Sequence, residues 1–196
     1  MNICILTRST LTHQMGGMQT HCQTLSEMAV ERGHSVEIIT TRHPQGLWHE
    51  QKNGFSIYYL PGTRPARQDK SWWKESAKKI IELHNKNKFD VIWAEGFSGC
   101  YYGQKIKPIV NAPLISIMQG VGILGHIKSA WNSITSFKEF INFAAKCLPE
   151  SIFLILPLFW KTLRYSDAIA AVSSEAAKSI QRDFFIQPEK ISVIYN

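Results

Sequence analysis

The start of the chain constrains its fold most, because it combines a strand, a glycine loop and a helix. Residues 2–7 are mostly apolar and predict a strand, and apolar residues recur at helical spacing over 18–29. Gly16 and Gly17 open that helix, and Gly33 follows it as a stop signal. A helix N-terminus has unpaired N–H groups, and glycine lets a phosphate approach the backbone. Gly16 and Gly17 therefore predict a binding site for a diphosphate. The alternative is an ordinary flexible turn.

The rest of the chain alternates strand-like runs with helical or loop segments. This alternation is typical of an α/β, doubly wound, mostly parallel Rossmann-like sheet with helices on both faces. Residues 42–54 and 61–72 are expected to be irregular loops. About seven strands are predicted, at 2–7, 36–40, 55–60, 89–94, 113–118, 167–172 and 191–195.

Length and charge narrow the class of protein. A chain of 196 residues can bury one core without metal or disulfide support. Its four cysteines show no C-x-x-C pairing and are expected to be reduced. The formal net charge of +7 comes without a nucleic-acid motif, so we expect a membrane surface or a lipid phosphate rather than nucleic acid.

Residues 121–165 form a long, apolar, helical excursion between the fifth and sixth predicted strands. Two interpretations stay open: the helices pack on the sheet, or they seat on an anionic membrane. The run 152–160 is followed by Lys161 and Arg164, as a membrane-seated segment would be. We expect no membrane-spanning helix here, because the run is shorter than roughly 20 residues and Pro157 should interrupt it.

The N-terminus carries no pattern typical of a signal peptide. Together with the reduced cysteines, this predicts a cytoplasmic protein, or one bound peripherally at the inner face of the membrane.

Four motifs occur in one order and carry a resemblance to a known family. They are GGMQTH at 16–21, ERGHSVEI at 31–38, FDVIWAEG at 89–96 and DAIAAVSSE at 167–175. The series resembles glycosyltransferase family 4, and over residues 1–196 it is similar to the N-terminal, acceptor-side domain of its retaining GT-B enzymes. The resemblance implies strand order 3-2-1-4-5-6-7 in the numbering of the predicted strands.

That order places a ligand crevice between the first and fourth predicted strands, at the carboxyl edge where the order reverses. Gly16, Gly17, Glu95 and Gly96 should converge there. The resemblance implies that the two N-terminal glycines face the diphosphate of a nucleotide-sugar donor, a UDP-, GDP- or ADP-sugar, and that no metal or other cofactor is needed.

The resemblance also implies acceptor contacts. Gln19 matches a family position that touches the acceptor; its alternative is a surface helix glutamine. Gln119 and Gly120 stand where relatives commonly have His-Gly or His-Thr. An amide cannot titrate, so Gln119 is predicted to bind sugar hydroxyls rather than to move protons.

Glu95 and Ser173 complete the candidate set. Relatives often carry histidines where this chain has Glu95, so a carboxylate enters the crevice as a hydrogen-bond acceptor or a general base. Its alternative is pairing with a nearby Lys or Arg. Ser173 is predicted to cap a helix, with contact to the cleft as a further role implied by the resemblance. His13 and His21 flank the glycine loop, but no metal-ligand set accompanies them.

The expected function is that of the acceptor-binding domain of a retaining glycosyltransferase acting on a glycan, lipid-linked or other acceptor. A C-terminal donor-binding domain is absent from this chain, which alone is expected to be inactive. The alternative is a non-catalytic half-protein that binds a membrane and recruits a donor-binding subunit. A nicotinamide-binding domain is disfavoured, because G-x-G-x-x-G is absent and no acidic residue ends the second strand at Thr40 and Thr41.

Overall fold

The computed structural model describes residues 1–119 and 123–195, with the backbone alone of 123–126. Its centre is an eight-stranded sheet of order β3-β4-β2-β1-β5-β6-β7-β8, parallel except between β3 and β4. The predicted doubly wound sheet and the order of its seven strands are confirmed. The strands are β1 (Asn2–Leu6), β2 (Ser35–Thr41), β3 (His49–Lys52), β4 (Phe55–Leu60), β5 (Val91–Glu95), β6 (Leu114–Met118), β7 (Ala168–Ala171) and β8 (Ile191–Val193).

Strand β3 corrects the expectation that 42–54 is an irregular loop. It pairs antiparallel with β4 through a tight turn at Asn53 and Gly54, which have φ values of 47° and 84°. Asn-Gly is the sequence preferred where both turn residues take positive φ. This dipeptide was the available signal for a hairpin, and the strand it creates protects the edge of the sheet.

Helices cover both faces of the sheet. A π-helical turn (Tyr102–Ile106) leads into α3, and α5 is one continuous helix. The helices are α1 (Gly17–Glu31), α2 (Lys70–Lys86), α3 (Lys107–Val110), α4 (Ile123–Asn132), α5 (Phe137–Tyr165) and α6 (Ser174–Phe184).

The central strand β1 supplies both main cores through its alternation. Ile3 and Ile5 join one buried cluster with residues of α1, whereas Cys4 and Leu6 join the other with residues of α2. Successive side chains of a strand point to opposite faces, so a continuous apolar run packs on both sides. This fixes β1 rigidly, and with it the loop that leads to α1.

Helix α5 corrects the expectation that Pro157 interrupts the apolar segment. Its π turns, Phe143–Cys147 and Ser151–Ile155, are each followed after one residue by a proline, Pro149 or Pro157. Proline lacks an N–H and clashes with a carbonyl of the preceding turn, and a π turn changes the local pairing so that the helix continues.

Helix α5 is the one helix within the described part of the chain that is long and apolar enough to cross a membrane. Only 11% of its most apolar 18-residue stretch is buried. The interpretation in which this segment packs on the sheet therefore holds only for the C-terminal part of α5, where Thr162 and Leu163 are buried.

The N-terminus of α2 offers a test of the fold. The Asp69 carboxylate accepts hydrogen bonds from the backbone N–H groups of Ser71 (2.9 Å) and Trp72 (3.4 Å). We expect Asp69→Ala to lower the free energy of unfolding by about 1 kcal/mol through loss of the cap. Asp69→Asn should lose less, because asparagine also caps. Urea denaturation measures both, and equal losses would contradict the role of the cap.

Candidate functional site

A cavity of about 190 Å³ lies at the carboxyl edge of the sheet, beside the point where strand order reverses between β1 and β5. The loop after β1, the start of α1, the ends of β5 and β6, and α5 all contribute to it. Its lining residues are Arg8, Met18, Gln68, Glu95, Gly96, Phe97, Met118, Gln119 and Phe159. Of the four residues predicted to converge on a crevice here, Glu95 and Gly96 line the cavity, together with Gln119. Gly16 and Gly17 are not among its lining residues, although Met18 of the same helix is.

Three side chains from three elements meet beside this cavity. His21 of α1 places Nδ1 3.4 Å from Oε1 of Glu95, at the end of β5. Gln119, which follows β6, donates through Nε2 to Oε2 of Glu95 at 3.0 Å, and the same atom lies 2.8 Å from Nδ1 of His21. Glu95 thus pairs with an imidazole and an amide, not with the Lys or Arg that the sequence left open.

Burial governs the chemistry of Glu95. Its side chain is 0% exposed, and this desolvation raises the pKa of the carboxyl, while hydrogen bonds to His21 and Gln119 lower that pKa in part. Burial, followed by the nearby Glu95 carboxylate, likewise raises the pKa of the Cys22 thiol on α1. The Glu95 side chain is enclosed, and Gln119, which donates to it, lines the same cavity. A direct general-base role for Glu95 stays a prediction.

The glycine loop is held by a buried glutamine. Gly16 is the N-cap of α1 in extended backbone, and no side chain caps this helix. Gln19 is only 3% exposed, and its Nε2 donates to Oγ of Ser9 at 2.7 Å. Its Oε1 would lie 2.6 Å from a Cβ on Gly16. The surface-glutamine alternative is therefore wrong, while contact between Gln19 and an acceptor stays a prediction.

A second groove of about 560 Å³ runs along the outer side of α1. Gly17 lies at one end of it, and Ile194 and Tyr195 of the C-terminal segment form its opposite wall. The His21 ring lines this groove, whereas its partners Glu95 and Gln119 line the first cavity. The three-residue network therefore contributes residues to both spaces.

The remaining candidates have simpler placements. Ser173 caps α6, and its Oγ accepts from the backbone N–H of Ala176 at 3.1 Å, as predicted. Its contact with the cleft stays a prediction, and Gly120 lies outside the described residues. Across 1–119 and 127–195, no group of three His, Cys, Asp or Glu side chains could hold a metal ion. Independence from metal remains an expectation.

Sequence reasoning missed several residues of the site. Arg8 follows β1 after one residue, and the rule that ligands bind at the reversal of strand order could have found it. The sequence suggests His21 only as a metal ligand, since nothing in its spacing indicates a contact with Glu95 or Gln119. Phe97 and Phe159, whose rings are 5.4 Å apart, had no sequence signal, because α5 meets the loop after β5 only in the folded chain.

Comparison with known proteins identifies relatives of the whole chain. The sequence model of Glycosyltransferase Family 4 matches residues 15–196. An uncharacterized glycosyltransferase, MJ1607 of Methanocaldococcus jannaschii, is 22% identical over 205 aligned residues, covering 100% of this chain and 46% of the relative.

Solved structures of the GT-B fold also align with nearly the whole of this chain. Sucrose-phosphate synthase from Thermosynechococcus elongatus superposes with a TM-score of 0.70 at 14% identity, over 99% of this chain and 47% of that one. The catalytic domain of starch synthase IV from Arabidopsis thaliana, bound to ADP and acarbose, gives 0.61 at 12% identity, over 100% and 51%. At such identities the likeness concerns the fold, and the chain spans about half the length of these relatives.

The two loop glycines make a matched pair of variants. In Gly16→Ala the new Cβ meets Oε1 of Gln19, so the amide must move and its buried bond to Ser9 is strained or lost. We expect a loss of about 1–3 kcal/mol in the free energy of unfolding. Gly17→Ala adds a Cβ with no atom of the described residues within 4 Å, so we expect no loss. Urea denaturation compares them, and equal effects would contradict this role of Gln19.

The buried carboxyl makes a prediction about pH. Because burial raises the pKa of Glu95, the folded chain holds that proton more tightly than the unfolded chain. The stability this provides is complete below the ordinary pKa and is lost as pH rises through the raised value.

Glu95→Gln removes that dependence. The free energy of unfolding of this variant, relative to the parent, should therefore increase between about pH 4 and about pH 7. Urea denaturation at both pH values tests it, with the exposed Glu31→Gln as control. A difference that is flat or falls with pH would refute the argument.

Proposed function

Because the chain belongs to glycosyltransferase family 4, we propose that it is the acceptor-side half of an enzyme that transfers a sugar from a nucleotide sugar to an acceptor hydroxyl. The observation that carries this proposal is the cavity at the reversal of strand order, with the glycine-led start of α1 beside it. Ligands of open α/β sheets bind at such a point.

The donor diphosphate is assigned to the N-terminus of α1. Gly16 and Gly17 leave its backbone N–H groups accessible, and no side chain occupies them as a cap. Partial positive charge at a helix N-terminus favours a phosphate. Arg8 adds a full positive charge on the cavity wall. A UDP-, GDP- or ADP-sugar satisfies this chemistry equally, and no metal is invoked.

The acceptor is assigned to the side of the cavity formed by Gln119 and its neighbours. A glutamine amide donates and accepts hydrogen bonds, which suits sugar hydroxyls. The buried contacts to Glu95 and His21 fix the position of the Gln119 amide and limit the entropy lost on binding. Gln19, Gly120 and Ser173 are retained as candidate contacts. Retention of anomeric configuration is proposed from the family resemblance alone.

The chain supplies one wall of the proposed donor site. It spans about half the length of its relatives, so we propose that a second, donor-binding half completes the cleft and that this chain alone does not turn over. That half would be covalently continuous or a separate subunit recruited by a non-catalytic module. We place the protein in the cytoplasm, peripherally at the inner face of the membrane.

Binding of donors to the present chain tests the proposal. In a ¹H–¹⁵N NMR titration with UDP-, GDP- and ADP-sugars, we expect shifts at Gly16, Gly17 and Arg8 with dissociation constants of about 1 mM, because only one wall of the site is present. The matching nucleosides, which lack phosphate, should leave those signals unchanged. Micromolar binding would show that the chain holds a complete donor site, and shifts confined to other regions would overturn the assignment.

A further inference from the structure

Helix α5 is longer than the sheet that supports it. Its 29 residues extend about 43 Å, whereas a five-residue strand such as β6 extends about 17 Å. The part Leu156–Tyr165 packs on the sheet. Because α5 leads into the amino end of β7, the preceding residues 137–155 extend past the carboxyl edge. Together with α4 they form the projecting hairpin (residues 127–155), on the edge that carries the cavity.

Large apolar side chains on the projecting hairpin are exposed. Phe137 is 77% and Phe153 is 80% exposed. Trp131 and Phe140 are also exposed, although their rings pack edge to face at 6.3 Å. Isolated exposed apolar residues are ordinary, but a group on one projecting element marks an interaction surface.

Charge identifies the partner of this surface. The projecting hairpin contains three basic and two acidic residues, and Lys161 and Arg164 follow it on α5. One of the acids, Glu139, accepts from the backbone N–H groups of Thr135 (2.7 Å) and Ser136 (3.0 Å), which compensates its charge locally. Where the helix meets the sheet, the Arg164 guanidinium lies 5.4 Å from the Trp160 ring centroid. Apolar and aromatic side chains beside excess positive charge fit the headgroup region of an anionic leaflet.

Other occupants fit less well. A second copy of the chain would bring together two molecules that each carry a formal net charge of +7, which is unfavourable. A hairpin that spans a membrane conflicts with the geometry, because the segment between β6 and β7 starts and ends at neighbouring strands of one sheet. Helix α4, with ten residues, reaches only about 15 Å, half of the roughly 30 Å hydrocarbon core. The hairpin therefore fits one leaflet.

We propose that the projecting hairpin seats in the headgroup region of an anionic bilayer and brings the cavity to an acceptor carried on a lipid. The second part rests on the proposed function. The link is Phe159, which lines the cavity, while its neighbour Trp160 is exposed on the same helix. A lipid acceptor would place its polar head in the cavity and keep its chains in the leaflet.

Vesicle flotation of the present chain tests the seating. The probes are phosphatidylcholine vesicles with and without phosphatidylglycerol. We expect salt-sensitive binding to the anionic vesicles only. Phe137→Glu with Phe153→Glu should weaken it at least about tenfold, through lost apolar burial and added negative charge. The control Trp48→Glu with Ile109→Glu makes the same charge change at exposed apolar positions elsewhere and should change binding less than about twofold.

Several outcomes would overturn the seating. One is that the hairpin variant keeps a native circular dichroism spectrum and binds anionic vesicles as tightly as the parent chain. Another is that the parent chain binds neutral vesicles as tightly as anionic ones. A third is that the parent chain is a dimer and the hairpin variant is a monomer. The acceptor is tested separately, with the chain combined with the proposed donor-binding half, either covalently continuous or a separate subunit. Faster transfer of sugar to a lipid-carried acceptor than to a soluble acceptor supports the second part of the proposal. Equal rates overturn that part but leave the membrane seating intact. Transfer to neither overturns the proposed function.

Discussion

Burial of both faces of strand β1 is the constraint on which the rest of the structure depends. The alternation of Ile3 and Ile5 with Cys4 and Leu6 commits the strand to two cores at once, so it can occupy only the interior of the sheet. From that position β2 and β5 pair on opposite sides, and the strand order reverses. The reversal opens a crevice at the carboxyl edge, and the loop after β1 delivers Arg8 and the start of α1 to it.

The crevice is kept in shape by a polar network rather than by apolar packing alone. Glu95, His21 and Gln119 come from a strand, a helix and a loop, and their hydrogen bonds fix these three elements relative to one another. A buried carboxyl is costly unless it is hydrogen-bonded, and here burial raises the pKa of Glu95 while its two partners lower that pKa in part. Gln119, which lines the cavity, is an amide that does not titrate, and it contacts both titratable members of the network.

Helix α5 serves two surfaces because of its length. Its last turns pack on the sheet and contribute Phe159 to the cavity, and its earlier turns extend beyond the sheet with exposed aromatic side chains. The π turns before Pro149 and Pro157 make this continuity possible. The same helix therefore connects the candidate site with the surface proposed to meet the membrane.

Local pattern in the sequence determined the parallel strands, the helix that follows Gly16 and Gly17, and the cap at Ser173, because periodicity and capping act over a few neighbouring residues. Pattern also contained the Asn53-Gly54 hairpin, which was overlooked. The order of the strands came from family resemblance. Tertiary structure alone decided that Gln19 turns inward to Ser9, that Glu95 pairs with His21 and Gln119, and that α5 continues through Pro157 and leaves most of its apolar surface exposed. Such outcomes depend on which distant segments meet, and neither spacing nor composition encodes the free energy of those contacts.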